Sequence, residues 1–265
     1  MKKKLPVIIS IPHGGIEIPQ EVQHLTGIDK ADIFDDTDAF TNEIYDMSNR
    51  AEYFFCTHIA RTFIDLNRNP LQLPPAFPDG VIKSITCYEK TVYLNKRIPD
   101  KKTIALLLQK YYNPYHDNLT RASCSGKASI GLDCHSMAET GPPLSPDQGK
   151  IRPLINIGNA GGLSANFGLA LSLAECFTEI FRFRPEEVTI NKPFQGGYIT
   201  RNYGNRPLPW LQIEMNRKLY LESPFFNRNS LSVDKSRIDE LNRLFKLVIE
   251  KFCHKSLKNL HLKVA

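Results

Sequence analysis

This chain of 265 residues lacks most of the features that assign a protein to a class at a glance. Its six cysteines (Cys56, Cys87, Cys124, Cys134, Cys176, Cys253) form no CxxC pair and follow no regular spacing. That argues against a disulfide framework or a cysteine-rich zinc site and leaves reduced thiols as the expectation. No run reaches the roughly 18 apolar residues that a membrane span requires. The opening MKKKLPVIISIPHGG has a basic start, but its apolar run is too short for a secretion signal and is flanked by Pro6 and Pro12. It reads as a first strand, with cytoplasmic residence as the default. Internal repeats, low-complexity tracts and interdomain linkers are absent, so residues 1–265 are expected to form one domain. An excess of one charge is also lacking: the net charge is only +6. Much of it comes from Lys2, Lys3 and Lys4 and from Lys251, Lys255, Lys258 and Lys263, read as solvated termini. No basic stripe interleaved with aromatics marks a nucleic-acid surface. The HExxH helix of thermolysin-type zinc enzymes is missing too.

What the sequence does contain is a core and a pattern. With 42% hydrophobic and 23% charged residues, the chain can bury a substantial interior. Short β-rich runs alternate with helical patterns, which predicts an α/β fold with a mixed, mainly parallel sheet flanked by helices. Strands are expected at Val7–Ile11, Tyr53–His58, Thr62–Leu66, Ser129–Cys134, Leu154–Ile157, Val188–Asn191 and Leu211–Glu214. Helices are expected at Ala39–Glu52, at Thr103–Arg121 with a kink or break at Pro114, at Ser164–Phe181 and at Val233–Lys255. A proline-rich loop covers Pro70–Pro78. A Gly/Pro/Ser-rich loop from Met137 to Pro153 is long enough to flank a site.

Chemistry is expected at the carboxyl ends of the strands, where open α/β sheets gather ligands. VIISIPHGG ends on His13, followed by Gly14 and Gly15, which would allow a sharp turn and close ligand approach. IGLDCHSM delivers His135, with Asp133 two residues before it. FDDTDAF offers Asp35, Asp36 and Asp38 before a helix, where an acid could cap the helix or chelate a cation; the pattern does not choose between Asp36 and Asp38. Two imidazoles and one carboxylate leave an open coordination position, the usual form of catalytic zinc. Glu214, flanked by Leu211, Ile213 and Met215, has the apolar surroundings that raise a carboxyl pKa toward general-base use. A structural pair with Arg217 is the alternative.

Basic residues complete the pattern. In RTFIDLNRNP, an extended strand would bring Arg61, Asp65, Asn67 and Arg68 toward one face. Arg61 or Arg68 could grip a substrate carboxylate bidentately, with Asn67 donating to a second oxygen; an Arg–Asp65 pair is the alternative. QGGYITRNYG places Arg201 behind Gly196 and Gly197, in a mobile substrate loop or a plain hairpin.

Taken in order, PHGG, DDTDAF, ARTFIDLNRNP, YHDNL, GLDCHSM, FQGGYITRNYG and LQIEMNRKLYL resemble the N-formylglutamate amidohydrolase family over most of residues 7–221. The resemblance implies a zinc-peptidase-like α/β fold (phosphorylase/hydrolase type). It also implies hydrolysis of N-formyl-L-glutamate to formate and L-glutamate, a reaction of histidine breakdown. By motif, it implies His13, Asp38 and His135 as ligands of one Zn2+, with Asp36 or Glu17 as other candidates for the acid. Glu214 would be the general base; Arg61, Asn67, Arg68 and Arg201 would face the substrate carboxylates; His116 would touch the site or pack against it. The expected partner is a small acidic amino-acid substrate, with neither nucleic acid nor membrane. Two rivals are a carboxypeptidase-like or other N-acyl deacylase and a non-enzymatic binder of acidic metabolites.

Overall fold

Alternating side chains along the strands of a computed structural model, which describes residues 3–257, decide how the molecule is layered. Six strands form one sheet: β1 (Leu5–Ile11), β2 (Ala51–Cys56), β3 (Ile130–Met137), β4 (Ile155–Gly158), β5 (Val188–Ile190) and β6 (Trp210–Asn216), in the order β2-β1-β3-β6-β4-β5. Every neighbouring pair is parallel except β4 with β6. The mixed, mainly parallel α/β architecture is therefore the one expected.

One face of the sheet carries Val7, Ile9 and Ile11 of β1, Leu132 and Cys134 of β3, and Leu211, Ile213 and Met215 of β6 into a continuous core. That core is covered by the single-turn α2 (Thr41–Ile44), α5 (Phe167–Phe181) and α7 (Lys235–Phe252). The opposite face bears Ile8 and Trp210 in a second core with α4 (Asn113–Ser123) and α6 (Tyr198–Tyr203). Along this face the same period of two continues through Ser10, Asp133, His135, Gln212 and Glu214, all buried. The surface is thus apolar at the amino end of the strands and polar at the carboxyl end. The register sets His135 directly beside Glu214.

Several elements differ from expectation. Ala39–Glu52 is not one helix: α1 (Lys30–Asp36) ends before it, the single-turn α2 lies within it, and β2 begins at Ala51. Asp29 caps α1 by accepting from Asp32 N, while extended Thr37 and left-handed Phe40 end and restart the chain around Asp38. Thr62–Leu66 is not a strand: beyond β2 the chain turns across the carboxyl edge of the sheet, and Thr62, Asp65 and Asn67 bond to side chains instead of a ladder. QGGYITRNYG is neither loop nor hairpin but forms α6. The proline in the predicted Thr103–Arg121 helix is absorbed without a break. The helix α3 (Lys101–Leu107) passes through a π turn, Leu108–Tyr112, into α4, where Pro114 lies in the first turn. Gly14 and Gly15 have no positive φ; they admit close packing, since a Cβ on Gly14 would strike the Asn42 amide and one on Gly15 the His58 carbonyl.

At the ends, Lys3 and Lys4 are exposed, whereas Lys251 and Lys255 pair with Glu179 and Glu175 of α5. Lys2, Lys258 and Lys263 lie outside the described residues. Among the described residues, no helix is long and apolar enough to cross a membrane.

Candidate metal and active site

Strand ends and two crossing loops bring the chemistry together in a pocket of about 440 Å³. His13 follows β1, His135 lies on β3, and Asp38 sits between α1 and α2, held by its N–H to the His13 carbonyl at 3.1 Å. His13, Asp38 and His135 are all buried, and one potential ligand atom from each falls within 4.8 Å of the others. The ring centroids of the two histidines are 4.7 Å apart.

Each imidazole faces the same oxygen and has its own carboxylate behind it. His13 Nδ1 is 3.5 Å and His135 Nδ1 3.0 Å from Asp38 Oδ2. Behind them, His13 Nε2 meets Asp65 Oδ1 at 2.6 Å, and His135 Nε2 meets Asp133 Oδ2 at 3.2 Å. This is the carboxylate–histidine arrangement that fixes tautomer and ring angle at metal centres. His13 Nδ1 is moreover a buried nitrogen with no hydrogen-bond partner among the described residues. A buried acceptor left free costs stability unless something binds it. The donor set of two nitrogens and one carboxylate oxygen therefore suits zinc.

The three candidate acids are separated by their surroundings. Asp36 is committed to Lys83 Nζ at 3.1 Å, Thr62 Oγ1 at 3.0 Å and Cys87 N at 3.1 Å. Glu17 is exposed. Asp38 alone of the three stands between the histidines. Burial opposes its ionisation, but the two imidazoles facing it hold its carboxyl well below the usual range. Arg217 Nη2 adds a bond to Asp38 Oδ1 at 3.0 Å, so Arg217 pairs with Asp38 rather than with Glu214. Burial likewise works against a charged His135, yet Asp133 and Asp38 raise its pKa well above the ordinary value.

Glu214 faces the same pocket. Desolvation pushes its pKa up to about 7, and Gln212 Nε2 donates to its Oε1 at 2.7 Å.

The arginines line the pocket with different degrees of freedom. Arg61 Nη2 donates to Asp65 Oδ2 at 2.8 Å, and Arg68 Nη2 to Asp79 Oδ2 at 2.8 Å. Arg201 is exposed and donates from Nε to the Gly196 carbonyl at 2.8 Å. Asn67 has both ends of its carboxamide engaged: Oδ1 accepts from Ile199 N at 2.7 Å and Nδ2 lies 3.0 Å from His135 Nε2. His116 packs behind the site, bonding the Leu66 carbonyl at 2.9 Å, and burial lowers its pKa to about 4.

Sequence reasoning missed Gln212 and Arg152. Gln212 had a usable signal, being two residues before Glu214 on one strand face. Arg152 had none: it stands in an irregular loop, held by Asp147 at 2.7 Å with its guanidinium 4.8 Å from the Phe194 ring. The loop from Met137 to Pro153 does flank the pocket, as its length suggested.

Comparison with known proteins places this geometry in context. The family model for N-formylglutamate amidohydrolase matches residues 5–221. The N-formylglutamate deformylase of Pseudomonas putida is 27% identical over 241 residues, covering 86% of this chain and 87% of the relative. That of Pseudomonas aeruginosa is 26% identical over 247 residues, covering 86% and 88%. Among solved structures, an N-formylglutamate amidohydrolase from Ralstonia eutropha JMP134 superposes with a TM-score of 0.77 at 20% identity, covering 97% of this chain and 96% of that one. The gene product Atu2144 from Agrobacterium tumefaciens gives a TM-score of 0.62 at 17% identity, covering 98% and 93%.

Proposed function

The chain belongs to the N-formylglutamate amidohydrolase family, and from that premise we propose that it is a zinc-dependent hydrolase. It cleaves the amide of N-formyl-L-glutamate, or of a similar N-acyl acidic amino acid, to formate and L-glutamate. The observation that carries this reading is the convergence of His13, Asp38 and His135, each imidazole backed by its own carboxylate, beside the buried acid Glu214. His13 Nδ1, Asp38 Oδ2 and His135 Nδ1 would hold the ion. When bound there, zinc supplies a Lewis acid that polarises the acyl carbonyl and makes water acidic enough to act near neutrality.

The chain's own groups perform the rest. Glu214 takes a proton from the attacking water and returns it to the amide nitrogen as the C–N bond breaks, so that formate and an amine leave. A pKa of about 7 suits both halves of that transfer. Asp65 and Asp133 hold the imidazoles in place. The substrate carboxylates fall to the arginines. Arg61 and Arg68 are partly neutralised by Asp65 and Asp79, so Arg201, which bonds a carbonyl and a side-chain amide and pairs with no acid among the described residues, has the most charge to offer. Asn67, whose oxygen accepts from the Ile199 N–H, would turn its NH2 group toward the reacting centre beside His135.

The test is formate release from N-formyl-L-glutamate by purified protein, before and after exhaustive chelation, with metal content measured in parallel. Chelation should abolish turnover and zinc should restore it. Undiminished activity in metal-free protein would sink the proposal.

A further inference from the structure

Two carboxamides meet the first turn of α6 in the same way. Backbone N–H groups can only donate, so the Gly197 N–H at 2.5 Å fixes Oε1 of Gln212, and the Ile199 N–H at 2.7 Å fixes Oδ1 of Asn67. Each amide is thereby oriented by chemistry. The NH2 group of Gln212 must face Glu214, to which it donates at 2.7 Å. That of Asn67 must face His135 and Asp133, at 3.0 and 3.4 Å. A third bond runs from Thr200 Oγ1 to Asp133 Oδ2 at 3.1 Å.

The unsatisfied N–H groups that any helix leaves at its start are thus met here by side chains from the reacting centre. The same short helix carries Arg201. The approach is close enough to demand glycine at position 197, where a Cβ would lie 2.3 Å from Asn67 Nδ2. Gly196, at φ 142°, occupies a conformation that other residues rarely adopt.

We propose that Gln212 is a positioning residue that ties the Arg201-bearing helix to Glu214, so that a substrate carboxylate held by Arg201 also sets the orientation of the base. Its oxygen anchors the helix and its nitrogen holds the carboxylate; neither function needs it to touch the reacting atoms. This inference rests on the hydrolase reading for the role of Glu214, while the connection itself does not.

Two measurements on the zinc-loaded protein separate these points. Hydrogen exchange over residues 195–203 reads the anchor without reference to turnover. Gln212→Leu should accelerate exchange in this segment. Gln212→Glu, which keeps an acceptor for the Gly197 N–H, should leave it near parental. Both variants should lower kcat at least tenfold, because both lose the donor to Glu214. A double-mutant cycle then reads the coupling: Arg201→Ala should lower kcat in the parent but add little in the Gln212→Leu background.

Strictly additive effects on kcat would overturn the proposal. So would a parental kcat in Gln212→Leu despite accelerated exchange, which would leave the bond as a helix anchor and nothing more. If Glu214→Gln keeps full activity, the base assignment fails and the catalytic half of the inference with it. Unchanged exchange in Gln212→Leu would instead refute the anchor alone.

Discussion

The floor of the pocket and its mouth are built on opposite terms. At the floor, His13, Asp38, His135 and Glu214 are buried, and their polar atoms are held by Asp65, Asp133, Arg217 and Gln212, with His13 Nδ1 left free. At the mouth, Arg201 is exposed and leans mainly on a backbone carbonyl. The contrast teaches where preorganisation is concentrated. Geometry is fixed in advance where a bond is to be broken, and the mouth leaves charge for an incoming anion to satisfy.

The sharpest way to break this comparison is at the floor. His135→Ala should lose the metal and reduce formate release to background; a variant that retains stoichiometric zinc and turnover would erase the distinction.

Glu214→Gln should keep the metal yet lower kcat by about 10²- to 10⁴-fold, the usual worth of a positioned proton acceptor. The same variant carries a stability signature in metal-free protein. Because burial holds the folded-state pKa of Glu214 near 7, above its unfolded value of 4.5, the parent loses stability as pH rises between those values. Above about pH 7 the loss is complete, on the order of 3 kcal/mol. The glutamine variant should lack this decline, so its advantage in thermal midpoint should be larger at pH 8 than at pH 5. Parallel pH profiles for the two proteins would contradict the raised pKa.

Asp65→Asn, which alters the support behind His13 but no ligand, should weaken zinc binding by about 10- to 100-fold in a competition with chelator. At the mouth, Arg68→Lys should produce the smallest change, a higher KM with kcat near parental, because the planar fork toward a carboxylate is lost. An unchanged KM would remove Arg68 from substrate capture.

What the sequence made legible followed from periodicity. Strands β1, β3 and β6 were visible as apolar runs, and their endings on His13, His135 and Glu214 needed only the rule that chemistry collects at strand ends. Local spacing could not separate Asp36 from Asp38. That choice depends on Lys83, 47 residues beyond Asp36 in sequence yet within 3.1 Å of it. The segment around Asp65 looked like a strand because polar and apolar residues alternate, but its polar side chains find partners on other elements. Helix α6 was hidden behind two glycines that serve close packing, and a single turn such as α2 is too short to print a helical period. The alternative pairing of Arg217 with Glu214 illustrates the opposite limit: Glu214 is its nearest acid in sequence, whereas its partner in space is Asp38.

The π turn between α3 and α4 has a consequence for the site, although none of its own residues belongs to the pocket. Asn113 N–H reaches back five residues to the Leu108 carbonyl, so this stretch holds one residue more than a regular helix needs. Tyr112 and His116, at and just beyond the turn, grip the carbonyls of Arg68 and Leu66, on either side of Asn67. Were the same residues wound at ordinary helical pitch, all that follows would be rotated by about 100°. His116 would then point away from the segment it steadies. The wide turn acts as an angular offset, setting from outside the pocket the direction in which the helix presents its hydrogen bonds.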